Sequence, residues 1–217
     1  VASLYFPVSP YNFTVLPIEI LGKIYEQFLS KEAELSENNE IIISKKPEVR
    51  KKDGIYYTPP YIVDYIVKKT LGEKLKKDKK PTTLRVLDIA CGSGSFLVNA
   101  YEFLLNKYLE FYLKDYKKYL KQEKIYEVSE NDLRLTINEK SRILSENIFG
   151  VDLDRQAVEV TQLSLLIKLL EDENINSQDL LFNYTQMNGL PDLSRNIKCG
   201  NSLIPDKKYE YESEFSN

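Results

Sequence analysis

Apolar residues run along this chain in two alternating rhythms. Short apolar stretches at 84–89, 147–152 and 196–199 have the length of strands. Between and before them, apolar positions recur at three- and four-residue spacing, the period of a helix with one buried face. This spacing appears at Ile18, Leu21, Tyr25, Phe28 and Leu29, with Pro17 suited to a first helical turn. It returns at Ile62, Val63, Ile66 and Val67, where Thr58 reads as N-cap and Pro59 as a first-turn residue, and where Gly72 and the lysines after it end the helix. The run Phe96, Leu97, Ala100, Phe103, Leu104, Tyr108 and Phe111 predicts a long helix reaching about Leu120. A short helix is expected around Ile143 and Leu144. A strongly apolar one follows an Asp154 cap, through Val158, Leu163, Leu166, Ile167 and Leu170. Ile41, Ile42 and Ile43 read as a short strand. Residues 121–137 read as loop, 171–195 as irregular, and 205–217 as a charged tail with little pattern.

Alternating strands and helices predict an α/β fold with a parallel sheet and covering helices. Ligands in such sheets bind outside the carboxyl ends of the strands. All three predicted strand ends carry polar or small residues: Asp88 to Gly94, Asp152 with Asp154, and Gly200 to Ser202. The first of these is Leu87-Asp-Ile-Ala-Cys-Gly-Ser-Gly-Ser95, a strand end, a small-residue turn and the start of a helix. There, backbone N–H groups and a helix N-terminus converge on one place.

Composition narrows the chemistry. At 217 residues, 42% hydrophobic and 29% charged, the chain has the make-up of a globular α/β domain with an extension. We expect an N-terminal helical extension over residues 1–50 and a ligand-binding part over 51–217. The chain has no histidine, so imidazole acid–base catalysis is excluded within it. Cys91 and Cys199 make neither a disulfide framework nor, without histidine, a zinc site. Reduced cysteines and the lack of any membrane-length apolar run lead us to expect a cytoplasmic protein with no membrane partner. A formal net charge of −3 argues against a dominant DNA-binding surface here, and the lysine cluster at 74–80 and basic cluster at 45–52 read as solvated linker. The chain opens on Val1 and its one methionine is Met187, so we read it as a piece of something longer.

The turn itself argues against two phosphate ligands. A dinucleotide site wants Gly-x-Gly-x-x-Gly, and Leu97 stands where the third glycine belongs. No Gly-Lys-Ser/Thr follows for a triphosphate. Asp88 would repel a pyrophosphate and suits an ammonium group. Asp152, at the next strand end, suits a ribose diol, whose two hydroxyls donate to an ionised acid. An amino-acid end joined to a ribosyl group describes S-adenosylmethionine.

These residues carry a family resemblance. Asp88-Ile-Ala-Cys-Gly-Ser-Gly-Ser-Phe96 resembles motif I of the DNA adenine-N6 methyltransferases of restriction–modification systems. Tyr57-Thr-Pro-Pro60 is similar to motif X, Gly150-Val-Asp-Leu-Asp154 to motif II, and Gly200-Asn-Ser-Leu203 to motif III. Their order, X, I, II, III, with the Pro17–Leu29 helix ahead, resembles the long type IIG and type I-like methylases, many fused to a nuclease. The likeness runs over about residues 15–205.

The resemblance implies a Rossmann-like S-adenosylmethionine-dependent methyltransferase fold, here an incomplete parallel sheet flanked by helices. It also implies residue roles. Tyr57 and Thr58 would contact the methionine end, Asp88 would meet its ammonium, and Ala90, Cys91 and Gly92 would allow close backbone approach. Asp152 would hold the ribose, with Leu153 against the adenine ring. Asn201, beside Ser202, would meet the adenine amino edge, although the family often has Asp there.

The parent protein would act on double-stranded DNA, moving the methyl group to adenine N6 by in-line attack, with fused nuclease and target-recognition domains outside this chain. Such enzymes use an Asn/Asp-Pro-Pro-Tyr/Phe motif to hold a flipped adenine. None follows Ser202. Thr58-Pro-Pro-Tyr61 is a decoy upstream of the first strand, so no catalytic residue is assigned and the chain is expected to be inactive alone. The alternatives are an RNA or protein methyltransferase, or a non-catalytic interaction module built on the long helix. Its tyrosines, Tyr101, Tyr108, Tyr112, Tyr116 and Tyr119, read as packing rather than base-stacking residues. Cys91 reads as a small turn residue and Cys199 as a buried strand residue.

Overall fold

The computed structural model describes residues 58–78, 80–130, 132–171 and 190–204, with the backbone alone at 31–35, 41–45, Lys77 and Asp78. The chain divides into two compact units, Val1–Ile55 and Tyr56–Asn217.

In the first unit, β1 (Lys31–Leu35) pairs antiparallel with β2 (Ile41–Lys45). The isoleucine run is therefore a strand as its β-branched residues imply. Its partner, Lys-Glu-Ala-Glu-Leu, is too polar to announce itself. The helix expected at Pro17–Leu29 lies outside the described residues.

The second unit is organised on a parallel sheet of β3 (Val86–Asp88), β6 (Ile148–Asp152) and β7 (Ile197–Cys199), in the order β3-β6-β7. Helix α1 (Pro60–Asp78) comes first. The Pro59 carbonyl accepts from the amides of Ile62 and Val63, so the helix starts one residue later than expected, behind Pro59 rather than Thr58. It also runs through Gly72 and into the lysines, so Lys74 and Lys76 lie on a helix surface and not in a linker. Interior glycine costs about 1 kcal/mol in a helix. Here Gly72 stays helical, and a Cβ there would make ordinary contact, 3.7 Å from Phe103. A 3-10 turn, Pro81–Thr83, leads into β3 (Val86–Asp88).

Helix α2 (Ser95–Leu113) follows. The single helix expected to Leu120 is instead broken at Lys114–Asp115, and α3 (Tyr116–Lys121) is separate. The stretch read as loop holds a hairpin, β4 (Ile125–Ser129) with β5 (Asp132–Leu135). Ile125 and Leu135 are paired and buried, and this pair anchors the hairpin. Helix α4 (Ile137–Asn147) then leads directly into β6 (Ile148–Asp152). Thr136 caps α4 by accepting from the Glu139 amide at 3.3 Å. Helix α5 (Arg155–Leu170) is capped by Asp154, as expected, through a 2.8 Å bond from the Gln156 amide. Strand β7 (Ile197–Cys199) falls where the sequence places it.

The sheet order steps in one direction, and connections of one hand then put their helices on one face. Helices α2, α4 and α5 pack against one another accordingly. Ile148, Gly150 and Ile197 lie buried on that face. Leu87, on the alternate face, is 60% exposed, so among the described residues the second face is open.

The α2 tyrosines are core residues, as their spacing implies. Tyr101, Tyr108 and Tyr112 are buried, and each hydroxyl bonds to α4: to the Lys140 carbonyl, the Asn147 side chain and the Glu139 carboxylate. A buried Tyr hydroxyl needs such a partner. Asn147 continues the chain of bonds by donating to the Leu84 carbonyl just before β3.

Candidate functional site

Gly92 and Asp152 tie two strand ends together. The Gly92 amide donates to Asp152 Oδ2 at 2.8 Å, and the Asp154 amide donates to Oδ1 at 2.9 Å. The Cys91 amide donates to the Val151 carbonyl at 3.0 Å. On the far side, the Gly200 amide donates to the Asp152 carbonyl at 2.8 Å. The ends of β3, β6 and β7 are thereby one hydrogen-bonded rim. It gathers Asp88, Ala90, Cys91, Gly92, Asp152, Leu153, Asn201 and Ser202. Thr58 stands at the start of α1, whose other end leads into the amino end of β3. Tyr57 lies outside the described residues.

The turn owes its shape to two glycines in the left-handed region, Gly92 at φ +54° and Gly94 at φ +85°. Gly94 is the N-cap of α2 and brings no capping side chain, so the first-turn amides are left for a partner. A Cβ on Gly92 would meet nothing within 4 Å: the space over this residue is open. The missing third glycine of a dinucleotide site has a physical explanation. Close approach of helix to sheet is supplied by Gly150 on β6, where a Cβ would fall 2.7 Å from Leu97 Cδ1.

The electrostatics favour a cation. Burial pushes the Asp88 carboxyl above its ordinary value; the Ala90 amide, donating at 3.1 Å, opposes this, and the neighbouring Asp152 charge adds to it. An ammonium placed here would relieve both the desolvation and the repulsion. The Cys91 thiol is pushed up to about 12 by burial, then by Asp152 and Asp88, so it stays protonated, a turn residue as expected. Cys199 differs from expectation. It is exposed at the end of β7, and its thiol donates to the Leu153 carbonyl at 3.4 Å.

Leu153 is 71% exposed beside Asp152, an apolar surface with no role in the fold. Asn201 is exposed, and its Oδ1 accepts from its own Leu203 amide at 2.9 Å. Two acids, an exposed leucine and open backbone over Gly92 thus lie along one rim at the strand ends.

The sequence matches the family described as N-6 DNA Methylase over residues 17–190. The chain belongs to the N-6 DNA methylase family. The chain is 36% identical over 219 residues to the type II restriction enzyme and methyltransferase RM.Eco57I of Escherichia coli, covering all of this chain and 21% of that protein. It is 25% identical over 195 residues to the adenine-specific methyltransferase BrxX of Escherichia coli O9:H4, covering 72% of this chain and 14% of that one. The chain thus spans about a fifth or less of these relatives' lengths.

A concavity of about 360 Å³ lies along α2 between the hairpin, α4 and α5. Its charges are spent internally: Lys168 pairs with Glu102 at 3.1 Å and with Glu171, and Arg134 with Asp132 at 3.1 Å. Sequence reasoning gave no packing role to Gly150, which it met only within a motif, and passed over Thr161. Thr161 is polar yet fully buried on α5, and an apolar-period reading passes over it.

Proposed function

We propose that this chain is the methyl-donor-binding portion of a DNA adenine-N6 methyltransferase from a restriction–modification system, with S-adenosylmethionine as cofactor. The observation that carries it is the Gly92–Asp152 bond, which sets a glycine turn and a strand-end acid side by side in a chain of this family. Bound S-adenosylmethionine supplies an electrophilic methyl group. Asp88 holds the ammonium, the amides at the start of α2 face the carboxylate, Asp152 accepts from the ribose hydroxyls, and Leu153 lies against the adenine. Thr58, with Tyr57, closes the methionine end. Ala90, Cys91 and Gly92 leave room for the donor, and Asn201 with Ser202 reads the adenine edge.

On this reading, residues 1–50 are an extension and 51–217 the donor-binding part. The target base is held by an Asn/Asp-Pro-Pro-Tyr/Phe motif, a string that does not occur in residues 1–217; the chain by itself binds the donor without transferring its methyl group. Double-stranded DNA is engaged by the longer protein, in the cytoplasm, with nuclease and target-recognition domains outside this chain. Among the described residues no helix is long and apolar enough to cross a membrane.

Calorimetry with S-adenosylmethionine and S-adenosylhomocysteine tests the proposal. Binding by the chain, weakened at least tenfold in Asp88→Ala, is expected. The reading fails if neither compound binds and Asp88→Ala changes nothing.

A further inference from the structure

We propose that Thr161 is a positioning residue for the donor-binding turn, a side chain of α5 that sets where residues 91–94 lie. The proposal rests on assigning that turn to S-adenosylmethionine. Thr161 is completely buried. Helical threonines commonly bond a carbonyl one turn back on their own helix. Thr161 instead donates to the Gly92 carbonyl at 2.8 Å, 69 residues away in sequence. It also fills the room that Gly94 leaves: a Cβ on Gly94 would stand 2.8 Å from Thr161 Cγ2 and 2.9 Å from its Oγ1.

Gly92 shows why this matters. Nothing would touch a Cβ there within 4 Å, so packing does not hold the residue. Two hydrogen bonds do: its amide to Asp152 and its carbonyl to Thr161. The first comes from a residue that faces the ligand. The second comes from behind, from the helix that Asp154 caps. Removing the Thr161 hydroxyl frees one end of the peptide that borders the donor space, and a turn that must be ordered on binding binds more weakly.

The test uses the full chain carrying Cys199→Ser, so that Cys91 is the one thiol. Thr161→Val, Thr161→Ser and Thr161→Ala are compared with this parent by two readouts: the rate of Cys91 labelling by a thiol reagent, and S-adenosylhomocysteine affinity by calorimetry. Thr161→Val keeps the volume and loses the hydroxyl. It is expected to label at least tenfold faster and to bind about tenfold more weakly, roughly one hydrogen bond. Thr161→Ala, a second way to remove the hydroxyl should Thr161→Val not fold, is expected to loosen the turn at least as much. Thr161→Ser, which keeps the hydroxyl, should stay within threefold of the parent in both. Parent-like labelling and binding in Thr161→Val, or a Thr161→Ser as impaired as Thr161→Val, would overturn the proposal. If the parent binds no S-adenosylhomocysteine, the cofactor reading falls by itself. The labelling arm still decides about Thr161: faster in Thr161→Val supports the positioning, and an unchanged rate rejects it.

Discussion

The amide of Gly92 donates to Oδ2 of Asp152 across 2.8 Å, joining the turn after β3 to the end of β6. Asp152 therefore has two tasks. It anchors the backbone through the Gly92 and Asp154 amides, one on each oxygen, and on the proposed reading its remaining lone pairs take the ligand.

Asp152→Asn separates those tasks poorly, and should damage both. An amide side chain offers one acceptor oxygen and turns an NH₂ group toward one of the two backbone amides. A loss of about 2–3 kcal/mol is expected in urea unfolding, from one charge-assisted bond broken and one N–H left unpaired. S-adenosylhomocysteine affinity should fall by more than tenfold in calorimetry.

Gly92 and Gly94 should respond differently to the same substitution. Both have positive φ, so alanine costs each about 1–2 kcal/mol in backbone strain. At Gly94 the new methyl also strikes Thr161, adding about 1–3 kcal/mol of overpacking. At Gly92 it enters open space, the space assigned to the donor. Gly94→Ala is therefore expected to be the less stable variant in thermal unfolding, while Gly92→Ala folds and loses S-adenosylhomocysteine binding.

Glu139 makes stability depend on acid. Burial acts to raise its carboxyl, but hydrogen bonds from Arg142 and Tyr112, with the Arg142 charge, hold it below the usual 4.5. Arg142 grips both oxygens, at 2.9 and 2.6 Å. A carboxyl held low in the folded chain stabilises it above the unfolded value and loses that stabilisation as pH falls through the lower folded one. Glu139→Gln should be about 3 kcal/mol less stable than the parent at pH 7. The gap should close as pH drops below 4.5, as read from urea midpoints across a pH series.

Leu153 offers the opposite profile. It is too exposed to hold the fold, so Leu153→Ala should change stability by no more than about 0.5 kcal/mol. Burying a leucine against a ring is worth about 1.5–3 kcal/mol when complete. A roughly tenfold weaker S-adenosylhomocysteine affinity, with an unchanged melting temperature, is the expected pair of results.

The strands β3, β6 and β7 and the α5 cap were legible because each rests on a local signal: an apolar run, or an aspartate before a helical period. The break at Lys114–Asp115 and the hairpin after it were not. Ile125 and Leu135 are ten residues apart in a polar stretch, and only their pairing across the hairpin makes them a core contact. On α5, the sequence nominates Leu163 and Ile167, yet both are partly exposed, while Thr161 and Ser164 are buried. Periodicity finds a helix and misjudges its face when a polar side chain has a specific partner inside.

The sequence by itself determined the α/β alternation, the small-residue turn at 91–95, and the acids at Asp88 and Asp152, because these are properties of short segments. Only the tertiary structure decided that the helices share one face of the sheet, that Gly150 admits Leu97 where a third turn glycine is missing, and that Gly92 is held between Asp152 and Thr161. Each of these joins residues about 50 or more positions apart, and what they do depends on distances of about 3 Å that no local pattern encodes.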